Sequence, residues 1–193
     1  RELSLREEQV AAAVKLIDEG NTIPFIARYR KEATGSMEDT ALRELEDRLK
    51  YLRNLEKRKE EVLSSIGEQG KLTPELAESI AAAQTLAVVE DLYRPYKQKR
   101  RTRASVAREK GLEPLAAAIR AQSTLAEPLV MAKDYLDPEK GVESPEAALQ
   151  GALDILAEDI SDDADIRGEL RRLIQAEGLV VSAAAQKQGE AES

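Results

Sequence analysis

The chain has 193 residues, with 29 basic and 37 acidic side chains, no cysteine and no histidine, so its formal net charge is −8. Without cysteine it has no disulfide, no thiolate nucleophile and no cysteine zinc site, and without histidine it lacks the commonest general base. No segment approaches the roughly 18 apolar residues that span a bilayer, and the first residues do not resemble a signal peptide. We therefore expect a cytoplasmic protein with no membrane partner. Because the sequence begins with arginine, we also expect a fragment of a larger protein.

The composition predicts an all-α protein, organised as a multi-helix array. Most of the chain consists of alanine, leucine, glutamate, lysine, arginine and glutamine, the residues with the lowest free-energy cost in a helix. No stretch alternates apolar and polar residues as a half-buried strand does. The nearest strand candidate, Leu179-Val180-Val181, has only three residues.

The first 35 residues contain two predicted helices. One follows a Ser4 cap and ends at Gly20, because serine favours helix starts and glycine favours their ends. The other runs from Phe25 to about Lys31, with Pro24 in its first turn, where the missing N–H of proline has no helical partner to lose.

A long helix is predicted near 37–66, opened by Ser36 and Asp39 in a capping-box arrangement. At 1.5 Å per residue it is about 45 Å long. Its leucines follow heptad spacing up to Leu52, after which the apolar face shifts and Lys59 takes a heptad position. This shift favours a strut that contacts two different partners over a coiled coil.

The interval 72–134 is predicted to hold short helices separated by brief turns, the arrangement of a helix-turn-helix-like lobe. Any small helical bundle gives the same pattern, so both interpretations stay open. The short helices are placed at 73–83, 86–93, 104–110, from near 114, and at 126–135.

Two further helices are predicted at 145–160 and 162–177, the second with Ser161 as its cap. Residues 1–182 are thus interpreted as one helical region. The remaining residues, 183–193, have the composition of a disordered tail.

Charge is unevenly distributed along the chain. Residues 94–110 contain eight basic and one acidic side chain, whereas residues 134–193 contain five basic and 15 acidic ones. Nucleic-acid phosphates would compensate the repulsion within the basic segment, with counterion release driving part of the binding. Its densest part provides five candidate phosphate contacts: Lys97, Lys99, Arg100, Arg101 and Arg103.

Two other sets extend this candidate nucleic-acid site. Tyr93 and Tyr96, just upstream of the densest part, are candidates for stacking on an unpaired base. Arg28, Arg30 and Lys31 form a second-rank basic set. The charged groups of Arg28 and Lys31 are expected on the same face of the predicted helix, because these residues lie one helical turn apart.

The acidic helices support a competing interpretation. The guanidinium groups of the basic segment can pair with carboxylates of the same chain, or face a protein partner, instead of phosphate. The chain would then be a structural or protein-interaction module that presents acidic helices, especially those at 144–177, to a basic partner.

The sequence offers little basis for catalysis. It has no phosphate-cradling glycine loop, and the acidic group at 159–165 lacks the glycine and final glutamate of a calcium loop. Glu90-Asp91 is an equally weak metal candidate. Ser161-Asp162-Asp163 is typical of a helix N-terminus. We expect no enzyme activity, no metal, no cofactor and no small-molecule substrate.

Five stretches of the chain carry a family resemblance. They are GNTIPFIARYRKEATG at 20–35, LKYLRNLEKRK at 49–59, QGKLTPEL at 69–76, VEDLYRPYKQKRRTRASVAREKGLEPLA at 89–116 and ALQGALDILAEDISDDADIR at 148–167. In this order, and along nearly the whole chain, they closely resemble the Tex family of bacterial transcription accessory proteins.

The resemblance implies a bacterial cytoplasmic protein that binds nucleic acid and is connected with transcription. In the family, the N-terminal helical region precedes a ribonuclease-H-like domain, helix-hairpin-helix elements and an S1 RNA-binding domain, and we expect none of these in the present sequence. The implied partners are RNA or DNA, contacted nonspecifically through the backbone, and the transcription machinery. The alternative is a module that braces the missing domains, or docks on that machinery, without touching nucleic acid. Within the first stretch, Ile23, Phe25 and Ile26 are expected in the core.

Overall fold

The computed structural model describes residues 5–98, 101–122 and 127–182. Eleven α-helices form in these ranges, and the only pairing of extended segments there is an isolated bridge between Asp137 and Val142. The all-α prediction is confirmed. No helix within the three ranges has the length and apolar character needed to cross a membrane.

The chain divides into two compact units, Arg1–Val89 (unit 1) and Glu90–Ser193 (unit 2). The boundary falls inside the interval 72–134, so the short helices predicted there are shared between the units. Each unit has its own buried apolar cluster.

Unit 1 is built around one long helix. Two short helices pack at the beginning of this long helix and bury its first leucines with them, and a third packs on these two. Gly20, with a φ of +83°, follows the first helix in the position that the sequence predicts. The elements are α1 (Glu7–Asp18), α2 (Ile23–Tyr29), α3 (Lys31–Thr34), α4 (Asp39–Glu68), α5 (Pro74–Ala82) and α6 (Leu86–Tyr93), whose last four residues belong to unit 2.

Two helix boundaries of unit 1 differ from the sequence prediction. Ser36 does not open the long helix, which begins at Asp39; its φ is +63° and its N–H closes α3 by donating to the Lys31 carbonyl oxygen at 2.7 Å. The single helix predicted from 25 to 31 is interrupted at Arg30, where φ is −126° and ψ is 25°, so α2 and α3 are separate. Ser4, the predicted cap of α1, lies outside the described residues.

Lys59 explains why a charge occupies a heptad position of α4. Its side chain is buried, and its ammonium donates to the Ala81 carbonyl oxygen at 2.9 Å and to the Glu56 carboxylate at 2.8 Å. The last carbonyls of a helix lack intrahelical partners, and a cation is favourable at that end. Lys59 therefore secures the C-terminal turn of α5 to the second half of α4, which agrees with the predicted change of partner along the strut.

Unit 2 is centred on the helix Pro145–Asp162, which contains several of the acidic residues of the C-terminal part of the chain. Three short helices pack on it, and they bury a cluster that is rich in alanine. Two of them, at Arg103–Glu109 and Glu113–Arg120, are joined by a three-residue turn in which Gly111 has a φ of +82°. The helix-turn-helix interpretation of these elements stays a prediction. The elements are α7 (Arg103–Glu109), α8 (Glu113–Arg120), α9 (Pro128–Ala132), α10 (Pro145–Asp162) and α11 (Ala164–Glu177).

The two C-terminal helices form as predicted, with one changed boundary. Ser161 does not cap α11, because it lies within the last turn of α10. Asp163 is the cap, and its carboxylate accepts the N–H groups of Asp165 and Ile166, both at 3.0 Å. A carboxylate there also interacts favourably with the helix dipole. The predicted tail, 183–193, lies outside the described residues.

Candidate nucleic-acid interface

The basic segment 94–110 lies in unit 2 and includes α7. A 3₁₀ turn, Arg94–Tyr96, follows α6. Thr102 then caps α7, since its hydroxyl oxygen accepts the Ser105 N–H at 3.0 Å, and its own hydroxyl donates to Glu158 of α10 at 3.0 Å. These bonds fix α7 beside the acidic helix α10, which brings carboxylates close to several of the described basic side chains of the segment.

Lys97 has partners inside unit 2. Its ammonium donates to the Glu90 carboxylate and lies 5.4 Å from the centre of the Tyr93 ring. An ammonium over a ring face is stabilised by the ring quadrupole. Tyr93 and Tyr96, the predicted stacking residues, are both half-buried. One face of Tyr93 is thus already engaged by the protein.

Arg101 and Arg103 project into solvent. The side chain of Arg101 is 73% exposed and lies 3.4 Å from Glu109; that of Arg103 is 87% exposed and lies 3.8 Å from Asp154. Such exposed pairs contribute about 0–1 kcal/mol, so they exchange readily for phosphate contacts. Lys99 and Arg100, the other two candidates of this cluster, lie outside the described residues.

Other arginines of the segment are neutralised by α10. Arg108 donates to Glu158 at 2.6 Å and to Asp159 at 2.7 Å, and the hydrogen bond to Glu158 raises the pKa of Arg108 above its ordinary value. Arg94 donates at 2.7 Å to Asp162, a buried carboxylate. Internal pairing, the competing interpretation, therefore accounts for Arg94 and Arg108.

A groove of about 530 Å³ lies beside the two exposed arginines. Small and apolar side chains of α7 and α10 form much of its wall, and three cations line it together with one carboxylate. Its volume is within the range of small-ligand sites, roughly 300–1,000 Å³. The charged lining residues are Arg101, Arg103, Lys110 and Asp154.

Asp91 has a structural role that the sequence analysis missed. It is buried and accepts hydrogen bonds from Arg167, at 2.6 Å, and from Arg171. These hydrogen bonds join the C-terminal half of α6 to α11 within unit 2. Burial by itself would raise the pKa of Asp91, but the hydrogen bonds from the two guanidinium groups outweigh burial and lower it. The only signal in the sequence is that the two arginines share one face of α11.

The carboxylates considered as metal ligands serve other purposes. In the part of the chain that the structure describes, no group of three or more acidic side chains is arranged to hold a metal ion. Glu90, Asp91, Asp159 and Asp162 each pair with a lysine or arginine, and Asp163 caps α11.

The second-rank basic set lies on unit 1 and keeps its charge exposed. Arg28, Arg30 and Lys31 are all exposed. Among the described residues, no carboxylate lies within 4.0 Å of their charged groups. Arg30 instead places its guanidinium carbon 5.3 Å from the centre of the Phe25 ring. This set thus differs from Arg108, whose charge is neutralised by α10.

Two aromatic rings accompany these cations. Tyr29 is 61% exposed and Phe25 is 37% exposed; their centroids are 5.2 Å apart and their planes are inclined by 47°. The expectation that Phe25 belongs to the core is wrong, whereas Ile23 and Ile26 are buried as expected. Phe25 is two residues from Ile23, about 200° around the helix, so α2 cannot bury both. Helical spacing could have found this pair, because Phe25 and Tyr29 are four residues apart.

Comparison with known proteins gives one matching family model within each unit. Residues 1–67 match the Tex-like protein N-terminal domain, and residues 123–193 match the Tex central region-like family. The chain is 55% identical over 181 residues to protein tex of Bordetella pertussis, covering 94% of this chain and 23% of that protein. It is 50% identical over 171 residues to transcriptional accessory protein Tex of Neisseria gonorrhoeae, covering 89% and 22%. It is 32% identical over 168 residues to human S1 RNA-binding domain-containing protein 1, covering 86% and 16%.

These relatives are several times longer than the present chain, which spans about a quarter of the bacterial ones. The matching part is their N-terminal part. Two Tex family models match in chain order, and the identity of about 50% extends over nearly the whole chain. The chain belongs to the Tex-like family and corresponds to the N-terminal part of its longer members.

Proposed function

We propose that this chain supplies a helical scaffold and a basic, phosphate-contacting surface to a larger protein that binds nucleic acid in connection with transcription. The observation that carries the proposal is the outward projection of Arg101 and Arg103, 73% and 87% exposed, beside a groove, whereas Arg94 and Arg108 donate at 2.6–2.7 Å to carboxylates of α10. The names of two relatives, a transcriptional accessory protein and an S1 RNA-binding domain-containing protein, support this class of function. The proposal assigns no catalytic step to these residues.

The acidic balance of the whole chain does not prevent such a contact. Screening reduces interactions between exposed charges that lie farther apart than about 8 Å at physiological ionic strength. A phosphate at Arg101 or Arg103 therefore responds mainly to the local charges. Guanidinium contacts to phosphate carry no sequence information, so the expected binding is nonspecific and falls steeply with salt.

Replacing Arg101 and Arg103 with glutamine in the full-length protein is expected to weaken nucleic-acid binding about tenfold at moderate salt. The slope of log K against log salt should become shallower by about 1.5, since each lost phosphate contact removes about 0.7–0.9. Fluorescence anisotropy with a labelled RNA strand and a labelled DNA duplex measures both quantities. Unchanged affinity and slope would show that these guanidinium groups do not touch the backbone.

The matched control replaces Arg43 and Arg172 with glutamine. It removes the same formal charge, also from exposed side chains, but these arginines lie outside the basic segment and are paired at 2.6 Å with Asp39 and Glu169. We expect little change in affinity. An equal loss in both double variants would attribute the effect to net charge alone and contradict the proposal.

The alternative function, a module that braces other domains, is favoured by a separate observation on α11. Four apolar side chains at helical spacing remain exposed on one stripe of this helix: Ile166, Leu170, Leu173 and Ile174. The longer relatives have further chain that would cover such a stripe. Amide hydrogen exchange in α11 is expected to slow in the full-length protein relative to the 193-residue chain, and equal exchange rates in both would oppose the bracing function.

A further inference from the structure

We propose that the exposed surface of α2 and of the junction with α3 binds single-stranded nucleic acid by stacking unpaired bases on the rings of Tyr29 and Phe25, with Arg28, Arg30 and Lys31 contacting the adjoining phosphates. The proposal rests on the proposed nucleic-acid function for the class of its ligand. It adds a second site, in unit 1, that recognises base faces as well as charge.

The rings have the exposure that stacking needs. More than half of Tyr29 and over a third of Phe25 are open to solvent, and their centroids lie within the distance of an interacting aromatic pair. Among the described residues, Tyr29 has no hydrogen-bond partner for its phenol oxygen. Stacking on an exposed aromatic side chain favours binding of any base, because every base has a π-face.

The helix below the rings is held in place. Ile23 and Ile26 anchor its inner face in the core of unit 1, and Pro24 lies in its first turn. At the end of α3, the Gln9 amide donates to the carbonyl oxygens of Thr34 and Gly35, both at 3.1 Å. Because the rings stand on an anchored element, less conformational entropy is lost when a ligand orders them.

The charge around the rings is complementary to phosphate. In the described part of the chain, Arg28, Arg30 and Lys31 have no carboxylate partner, and the guanidinium carbon of Arg30 lies 5.3 Å from the centre of the Phe25 ring. Exposed ring faces beside unneutralised cations are the combination found in channels that bind single strands. A duplex would meet the cations but leave the rings unused, because its base faces are covered by stacking.

The tyrosines of unit 2 are less suited to this task. Tyr93 and Tyr96 are half-buried, whereas more than half of Tyr29 is exposed. Within the described ranges, the one ring that packs on Tyr29 is that of Phe25. The rings of α2 are therefore better placed to stack on unpaired bases than Tyr93 and Tyr96, the residues predicted from the sequence.

The test compares two ligands that share phosphates and differ in bases. One is a uridine or thymidine strand of about 12 nucleotides; the other is an abasic strand of the same length. In the full-length protein, Tyr29→Leu is expected to weaken binding of the base-containing strand about tenfold and to leave abasic binding unchanged. Tyr29→Phe, which keeps the ring, should bind both strands as the wild type does.

A direct readout is photocrosslinking with a strand that contains 5-iodouridine, followed by mass spectrometry. The expected crosslink lies in the peptide that contains Tyr29 and is lost in Tyr29→Leu. Absence of this crosslink, together with unchanged affinity in Tyr29→Leu, would overturn the proposal. So would a Tyr29→Leu effect confined to an acidic polypeptide such as polyglutamate, which would identify a protein partner.

The outcomes separate this site from the site in unit 2. Arg101→Gln with Arg103→Gln should weaken the base-containing and the abasic strand alike. If that double variant weakens both strands and Tyr29→Leu weakens neither, the proposed function holds and the stacking site is refuted. If the arginine variant has no effect while Tyr29→Leu acts only on the base-containing strand, the stacking site holds and the unit 2 surface is refuted.

Discussion

The Asp91→Asn variant is expected to unfold with about 3 kcal/mol less free energy than the wild type at neutral pH. Arg167 and Arg171 would keep their charges in a partly buried site after losing the carboxylate that neutralises them. Asparagine preserves the shape, but its amide hydrogens face guanidinium donors. Because both arginines remain about one third exposed, the loss lies at the low end of the range for buried pairs. Urea unfolding monitored by far-ultraviolet circular dichroism measures it.

The pH dependence provides an independent check on Asp91. The pKa of Asp91 is lowered in the folded chain, so on acidification the unfolded chain binds this proton first. The stability from the carboxylate is complete above the ordinary aspartate pKa of about 4 and is lost as pH falls through the lowered value. The difference in free energy of unfolding between the wild type and Asp91→Asn should therefore become smaller below a pH of about 4.

The control for Asp91 is Glu169→Gln. Glu169 accepts from Arg172 on the same helix, but both side chains are exposed. We expect Glu169→Gln to lower the free energy of unfolding by at most about 0.5 kcal/mol. A loss in Asp91→Asn no greater than in this control, or a difference that stays constant through acid pH, would contradict the role of Asp91 in fastening α11.

Many helix ends can be predicted from the sequence because a helix start is stabilised by residues within the same few positions of the chain, such as a capping hydroxyl and a following proline. Thr73 and Pro74 open α5 as the sequence predicts, with the Thr73 hydroxyl oxygen accepting the Leu76 N–H at 3.2 Å. The prediction fails where several suitable caps lie close together. Ser161 and Asp163 both fit the local rule, and the structure selects the second because α10 continues past Ser161.

The candidate site was harder to predict because neutralisation depends on residues far apart in sequence. Arg108 and Glu158 are separated by 50 positions, and Arg167 and Asp91 by 76. Counting charges identifies the basic segment but cannot distinguish Arg108, which α10 neutralises, from an arginine that faces solvent. That distinction requires the packing of α7 on α10, which no local pattern specifies.

The approach of α7 to α10 depends on Gly151, and Gly151→Val is expected to lower the free energy of unfolding by about 3 kcal/mol. A Cβ atom at this position would lie 2.4 Å from Cδ1 of Leu112 and 3.3 Å from Cβ of Ala107. Leu112 is almost completely buried and Ala107 has no rotamer to change, so a valine here has to displace the Leu112 side chain or push α7 away from α10.

Gly168→Ala is the matched control, since Gly168 also lies within a helix but its added Cβ would meet no atom within 4 Å. Alanine is favoured over glycine in a helix, so the free energy of unfolding of this variant should rise by up to about 1 kcal/mol.

Gly151 also lines the groove beside Arg101 and Arg103. A Gly151→Val protein that remains folded should therefore bind nucleic acid more weakly, because the valine side chain changes the wall of the groove that these guanidinium groups line. Wild-type stability in Gly151→Val would mean that the two helices are not so closely packed, and the geometric basis for the unit 2 surface would be lost.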